Sequence, residues 1–246
     1  MSRGKNGNRS RRFSWVDEKL QIALVGLAAV AVGALSVVAL TSTRQVVATA
    51  EPRTVDIGNL RDSRPLIAFV GDSYTSGSQM DSGEEFRWPA RLSRELNLRA
   101  QLLTSAGRGY DLADEVNFST VIGPLSAEAD TVVLFGSRND DGGYEATAAG
   151  VEAVFDVIQE RAPDATVVVV GPPWVNGRPP EWVPTARDAV RDVAAQSGAR
   201  FVDPLEERWF ADTLGLIGED TVHPNDDGHT YLLGKMRPLV IEALGG

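Results

Sequence analysis

The stretch VGDSYTSG, Val70 to Gly77, places Ser73 just past a glycine and directly after the apolar run Leu66-Ile67-Ala68-Phe69. A serine hydroxyl at the tip of a buried strand becomes a nucleophile only when a base lies within hydrogen-bond reach and a third group orients that base. The chain holds two histidines, His223 and His229, and no cysteine. Disulfides, thiolate chemistry and cysteine-zinc sites are therefore excluded, and any imidazole base is one of those two. In EDTVHPND, Glu219 to Asp226, Asp220 stands three residues before His223. In a turn that spacing lets the carboxylate hydrogen-bond the imidazole, fix its tautomer and stabilise the imidazolium. His229 falls inside the expected last helix and reads as a packing or surface histidine. A tetrahedral acyl intermediate also needs donors for its oxyanion. The candidates at strand ends are the Ser73 N–H, a glycine N–H in SAGRGYD (Gly107 or Gly109), and the Asn139 amide in FGSRNDDG. An asparagine amide offers two N–H donors without net charge.

Other polar and aromatic side chains near these segments carry two readings each. Asp72 reads either as an acid or, the favoured reading, as a structural acceptor that holds the turn. Arg138 either meets an anionic substrate or faces solvent in a salt bridge. Asp140 and Asp141 are adjacent, so an extended loop points them apart, and no metal site is expected. Trp174 and Trp182 flank a proline-rich loop, GPPWVNGRPPEWVP, Gly171 to Pro184. They either stack on a sugar or acyl group or pack that loop down. Trp88 reads as core.

The elements that must carry these residues follow from the apolar pattern. Five short runs read as buried strands: Leu66–Val70, Ala100–Leu103, Thr131–Phe135, Thr166–Val170 and Phe201–Val202. Several are continuous rather than alternating, as in a parallel sheet covered on both faces. Helical spacing predicts helices over Glu85–Leu96, Tyr144–Arg161, Thr185–Gln196 and Asp227–Leu244. Strands alternating with helices predict a doubly wound α/β sandwich with its site at the C-terminal ends of the strands.

Charge divides the chain. Residues 1–50 carry a net charge of +5 and residues 51–246 carry −15. A domain that acidic repels phosphates, so no nucleic-acid partner is expected. Ile22 to Leu40, IALVGLAAVAVGALSVVAL, is nineteen residues without a charge. It spans about 28 Å as a helix, close to the bilayer core. Arg3, Lys5, Arg9, Arg11, Arg12 and Lys19 precede it, which retains the N-terminus in the cytoplasm and exports the rest. The expected organisation is a basic segment 1–21, a transmembrane signal anchor 22–40, a tether 41–64 and a domain 65–246. The alternative is secretion after cleavage near Ala50, where Ala48-Thr49-Ala50 fits a small-x-small site. The apolar run, however, exceeds the usual length of about 7–15 residues for a cleaved signal.

Together, GDSYTSG, AGRG, SRND and DTVH resemble the SGNH subgroup of the GDSL hydrolases. In that resemblance Ser73 is the nucleophile, Gly109 and Asn139 are oxyanion-hole residues alongside Ser73, and Asp220 and His223 complete a triad. It runs from about residue 65 to the C-terminus. It implies a flavodoxin-like three-layer α/β/α fold with a five-stranded parallel sheet, hydrolysis of esters through an acyl-serine, and no cofactor. Two departures stand out. Ser137 occupies the glycine position of the family's Gly-x-Asn-Asp block, and Tyr74 stands where the family name has leucine. The expected substrate is an acyl ester, an acylated glycan or lipid of the cell envelope being the natural class for an exported domain. An envelope glycan acyltransferase using the same triad and a non-catalytic envelope-binding module are the alternatives. Neither the acyl group nor the oligomeric state is legible.

Overall fold

The computed structural model describes residues 62–212 and 215–245. The basic segment, the apolar segment 22–40, the cleavage site near Ala50 and all of the expected tether before residue 62 lie outside the described residues. Among the described residues no helix is long and apolar enough to cross a membrane.

The strands are β1 (Leu66–Gly71), β2 (Arg99–Thr104), β3 (Thr131–Phe135), β4 (Thr166–Val170) and β5 (Arg200–Val202). The helices are α1 (Ser73–Ser76), α2 (Trp88–Glu95), α3 (Phe118–Val121), α4 (Tyr144–Arg161), α5 (Trp182–Gln196) and α6 (Asp226–Gly245). The strands form one parallel sheet in the order β2-β1-β3-β4-β5. Strand order therefore reverses between β1 and β3, and in such sheets a crevice opens outside the strand ends at that point.

Both faces are covered, which explains the continuous apolar runs. Along β1, Ala68 and Val70 join a core with α3, α4 and α5, through Phe118, Val151, Val154 and Val190. Ile67 and Phe69 join a second core on the opposite face, with Trp88 and Leu92 of α2 and Leu232, Met236 and Val240 of α6. Successive residues of a strand point to opposite faces, so a strand buried on both is apolar along most of its length. The edge strand β2 differs, since only Leu103 is buried in it. Trp88 is fully buried against Phe69, ring centroids 5.1 Å apart.

The expected helix Glu85–Leu96 divides. A 3-10 turn, Glu84–Phe86, ends at Arg87, whose ψ of 143° is extended, and α2 begins at Trp88 with Pro89 in its first turn. Proline accepts only an early helical position and lacks the N–H that a helix begun a turn earlier would need from it.

Candidate active site

Four connections deliver the site. Between β1 and α1 the chain makes a single tight turn. A β-carbon at Gly71 would overlap the Thr75 hydroxyl and crowd the Phe135 carbonyl, so only glycine fits. Asp72 caps α1, its Oδ1 accepting from Tyr74 N at 2.9 Å. Ser73 is then the first helical residue, with no intrahelical acceptor for its own N–H.

The turn before α6 brings the base. His223 Nε2 lies 2.9 Å from Ser73 Oγ, across 150 residues of chain. Its Nδ1 lies 2.5 Å from Asp220 Oδ2. Asp220 Oδ1 accepts from the backbone N–H groups of Val222 and His223, both at 2.9 Å. Burial works to raise the Asp220 pKa, but the hydrogen bonds from His223 and the two backbone amides outweigh it and lower it to about 2. Asp220 is thus an anion facing the imidazole, and Ser73, His223 and Asp220 form a continuous row. Such a row can pass the serine proton to Nε2 while the carboxylate stabilises the charged ring.

The loops after β2 and β3 meet beside Ser73. Asn139 Nδ2 donates to Asp72 Oδ2 at 3.2 Å and to the Arg108 carbonyl at 2.9 Å. One amide thereby ties together the loops after β1, β2 and β3. Both of its N–H groups are engaged, whereas the Gly109 N–H donates to no group among the described residues. Gly107 and Gly109 differ in kind. Gly107 has φ +72° with open space around a β-carbon, whereas a β-carbon on Gly109 would overlap the Asp140 carboxylate. Close approach is thus the requirement at Gly109 and a left-handed backbone the one at Gly107.

A family model described as the GDSL-like Lipase/Acylhydrolase family matches residues 69–231. The chain belongs to that family. It is 36% identical over 206 residues to the GDSL lipase Rv0518 of Mycobacterium tuberculosis, covering 76% of this chain and 89% of the relative. Among solved structures, Est24, a carbohydrate acetylesterase from Sinorhizobium meliloti, superposes with a TM-score of 0.57 at 18% identity, covering 73% of this chain and 99% of that one. The salicylyl-acyltransferase SsfX3 from a tetracycline biosynthetic pathway superposes with a TM-score of 0.58 at 23% identity, covering 74% and 55%. At those identities the likeness is one of fold. Family and relatives make the chain a carboxylic ester hydrolase of the GDSL type.

Against the family pattern, the two departures have physical consequences. Ser137 takes φ +82°, the left-handed region where the family's glycine is unstrained, and its buried hydroxyl has no partner among the described residues. Tyr74 is buried, and its hydroxyl donates to the Val222 carbonyl at 2.5 Å while accepting from Arg138 Nη1 at 2.8 Å. Burial pushes the Tyr74 phenol up to about 12, so it keeps its proton.

Asp140 proves to be a loop anchor that residue adjacency alone did not reveal. It is buried while Asp141 is exposed. Asp140 Oδ1 accepts from Tyr110 N at 2.7 Å and Asp111 N at 2.9 Å, fixing the loop that carries Gly109. Burial raises both Asp72 and Asp140 to about 6 against the pull of their backbone hydrogen bonds. His229 packs under α2, its Nδ1 3.4 Å from Trp88 N, and burial lowers it to about 4. Among the described residues no group of three His, Asp or Glu side chains is disposed to hold a metal.

Trp174 and Trp182 pack edge to face, ring centroids 5.7 Å apart. Trp174 also stacks on Arg138, whose guanidinium carbon is 4.5 Å from the ring centre. Its half-buried indole helps line a cleft of 290 Å³ with Pro179, Pro184, Arg187, Arg208 and Trp209. Trp174 thus packs against the second indole of the loop, and its other edge faces a cleft that Ser73, Asn139 and His223 do not line.

Proposed function

We propose that this chain is a membrane-anchored esterase whose domain faces away from the cytoplasm and cleaves acyl esters through an acyl-serine. His223 takes the Ser73 proton as Oγ attacks the acyl carbonyl. Asp220 holds the imidazole with its proton on Nδ1 and stabilises the imidazolium. The Ser73 and Gly109 N–H groups receive the oxyanion. Asn139 joins them by exchanging its bond to the Arg108 carbonyl for one to the oxyanion, while its bond to Asp72 keeps the amide in place. His223 then protonates the leaving alkoxide and activates water to release the acid. The observation that carries this reading is the hydrogen-bonded row from Asp220 through His223 to Ser73.

The location rests on sequence: an uncharged stretch of bilayer length behind a basic flank. An envelope glycan or lipid bearing acyl groups is then the accessible substrate class. Est24, described as a carbohydrate acetylesterase, favours the glycan. Transfer of the acyl group to a sugar hydroxyl instead of water is the second reading, favoured by the acyltransferase among its fold relatives. A non-catalytic binding module would have no use for a complete Ser-His-Asp row.

The test is a fluorophosphonate probe on the full-length chain beside Ser73→Ala and His223→Ala. Labelling of wild type at one site, absent in both variants, is expected. A folded wild type that neither labels nor hydrolyses any of a panel of esters overturns the catalytic reading. Product analysis with and without a glycan acceptor separates hydrolysis from transfer.

A further inference from the structure

The turn that carries His223 is closed at its base by the Ile217–Pro224 bridge and by the Asn225 bonds to Leu216 and Gly215, but its tip, residues 219–223, makes few hydrogen bonds to the rest of the domain. Within it, Gly218 N donates to the His223 carbonyl, Thr221 N to the Gly218 carbonyl, and Val222 N and His223 N to Asp220 Oδ1. Thr221, a β-branched residue, sits at φ +62°. These bonds shape the turn but do not place it against the sheet. Among the described residues, 219–223 make two hydrogen bonds to anything outside 218–223. One is His223 Nε2 to Ser73 Oγ, the contact that must break and re-form in any reaction. The other is the Tyr74 hydroxyl to the Val222 carbonyl.

That second bond has a fixed direction. Arginine only donates, so the Arg138 bond to Tyr74 Oη uses an oxygen lone pair and leaves the single phenol hydrogen for Val222. Arg138 is itself held, its guanidinium carbon 5.3 Å from the centre of the Tyr74 ring and 4.5 Å from that of Trp174. Among the described residues it makes no ion pair, so its one hydrogen bond goes to the phenol. A leucine at position 74 could fill the space but could not make either bond.

We propose that Tyr74, oriented by Arg138, is a positioning residue for the base: it pins the Val222 carbonyl and so keeps His223 within reach of Ser73 through the catalytic cycle. The clamp crosses three connections, running from the loop after β3 through α1 to the turn before α6. It rests on the catalytic reading of Ser73 and His223 and adds a residue whose side chain hydrogen-bonds neither of them, although its ring lies beside that of His223, centroids 6.2 Å apart, a contact that Tyr74→Phe retains.

The test is a double-mutant cycle in the full-length chain with p-nitrophenyl acetate as substrate. Tyr74→Phe keeps the ring and removes the hydroxyl. Its kcat is expected to fall about tenfold with KM within twofold of wild type, since a loosened base costs rate and not substrate binding. Arg138→Met is expected to cost about threefold in kcat, and the double variant to be no slower than Tyr74→Phe, because both act through one hydrogen bond. The downfield proton resonance of the His223–Asp220 hydrogen bond, sharp in wild type, is expected to broaden in Tyr74→Phe. A Tyr74→Phe enzyme within twofold of wild-type kcat, a loss carried by KM, or a double variant slowed by the product of the two single losses overturns the proposal. If Tyr74→Phe does not fold, Arg138→Met decides alone: a kcat loss at unchanged KM supports the clamp and unchanged kcat overturns it. If wild type neither labels nor turns over, the catalytic reading fails separately. The resonance then decides the clamp, broadening in Tyr74→Phe supporting it and an unchanged line overturning it.

Discussion

The carboxylate of Asp140 fills the space that a β-carbon on residue 109 would occupy. The same carboxylate holds the N–H groups of Tyr110 and Asp111. The loop after β2 therefore rests on Asp140 with no room for a side chain at position 109. Gly109→Ala must displace either the carboxylate or the loop, and the donor moves with it. The expected result is a loss of about 100-fold in kcat on an aryl ester, with the protein still folded by circular dichroism. Gly107→Ala meets open space and only a strained φ, which costs about 1 kcal/mol of stability and leaves kcat within threefold. The reverse pattern would move the donor to Gly107.

Ser137 combines a left-handed backbone with a buried hydroxyl that lacks a partner among the described residues. Each is unfavourable by about 1 kcal/mol or more. Ser137→Gly removes both and gives back part of the gain as unfolded-chain entropy. A net stabilisation of about 1 kcal/mol is expected, seen as a rise in Tm of about 2–4 °C by calorimetry. A Tm that stays level or falls would show that the hydroxyl is held by a contact the geometry does not reveal.

Asp140 also makes stability depend on pH in an unusual direction. Its folded pKa, raised to about 6 by burial, lies above the ordinary carboxylate value near 4. The native state therefore binds the proton more tightly than the unfolded chain. The contribution is complete below about pH 4 and is lost as pH rises through about 6. Asp72, raised in the same way, adds to the trend. Asp140→Asn takes away one of the two groups. Urea midpoints at pH 4 and pH 7 are expected to differ less in the variant than in wild type. An equal or larger difference would mean that Asp140 is already ionised across this range.

The sheet was legible in the sequence because burial on both faces leaves long apolar runs, as in Leu66–Val70 and in β3 after its opening Thr131. Helices long enough to repeat, such as Tyr144–Arg161, were legible for the same kind of reason. Single-turn helices were not: Ser73–Ser76 and Phe118–Val121 are shorter than any detectable period. Local chemistry marked the second all the same, since Asn117 and Thr120 form a reciprocal capping box. At the site, Asp220 and His223 could be paired from spacing, because one turn contains both. Joining them to Ser73 needed the family's pattern. The bonds from Tyr74 to Val222 and from Asp140 to Tyr110 link separate loops and leave no periodic trace. The tyrosine in place of leucine was the one hint of the first.

The two oxygens of Asp220 have different partners. Oδ1 faces two backbone N–H donors and Oδ2 faces His223 Nδ1. In Asp220→Asn the two donors require the amide oxygen on their side, so the turn keeps its shape. The NH2 group then points at Nδ1, which must accept. The imidazole proton is forced onto Nε2, facing Ser73 Oγ, where the ring can no longer take the serine proton. A fall of about 10³- to 10⁴-fold in kcat is expected from this tautomer change, with Tm within a few degrees of wild type. Fluorophosphonate labelling should slow in step. An Asp220→Asn enzyme within tenfold of wild-type kcat would remove the carboxylate from the mechanism and leave His223 oriented by the turn alone.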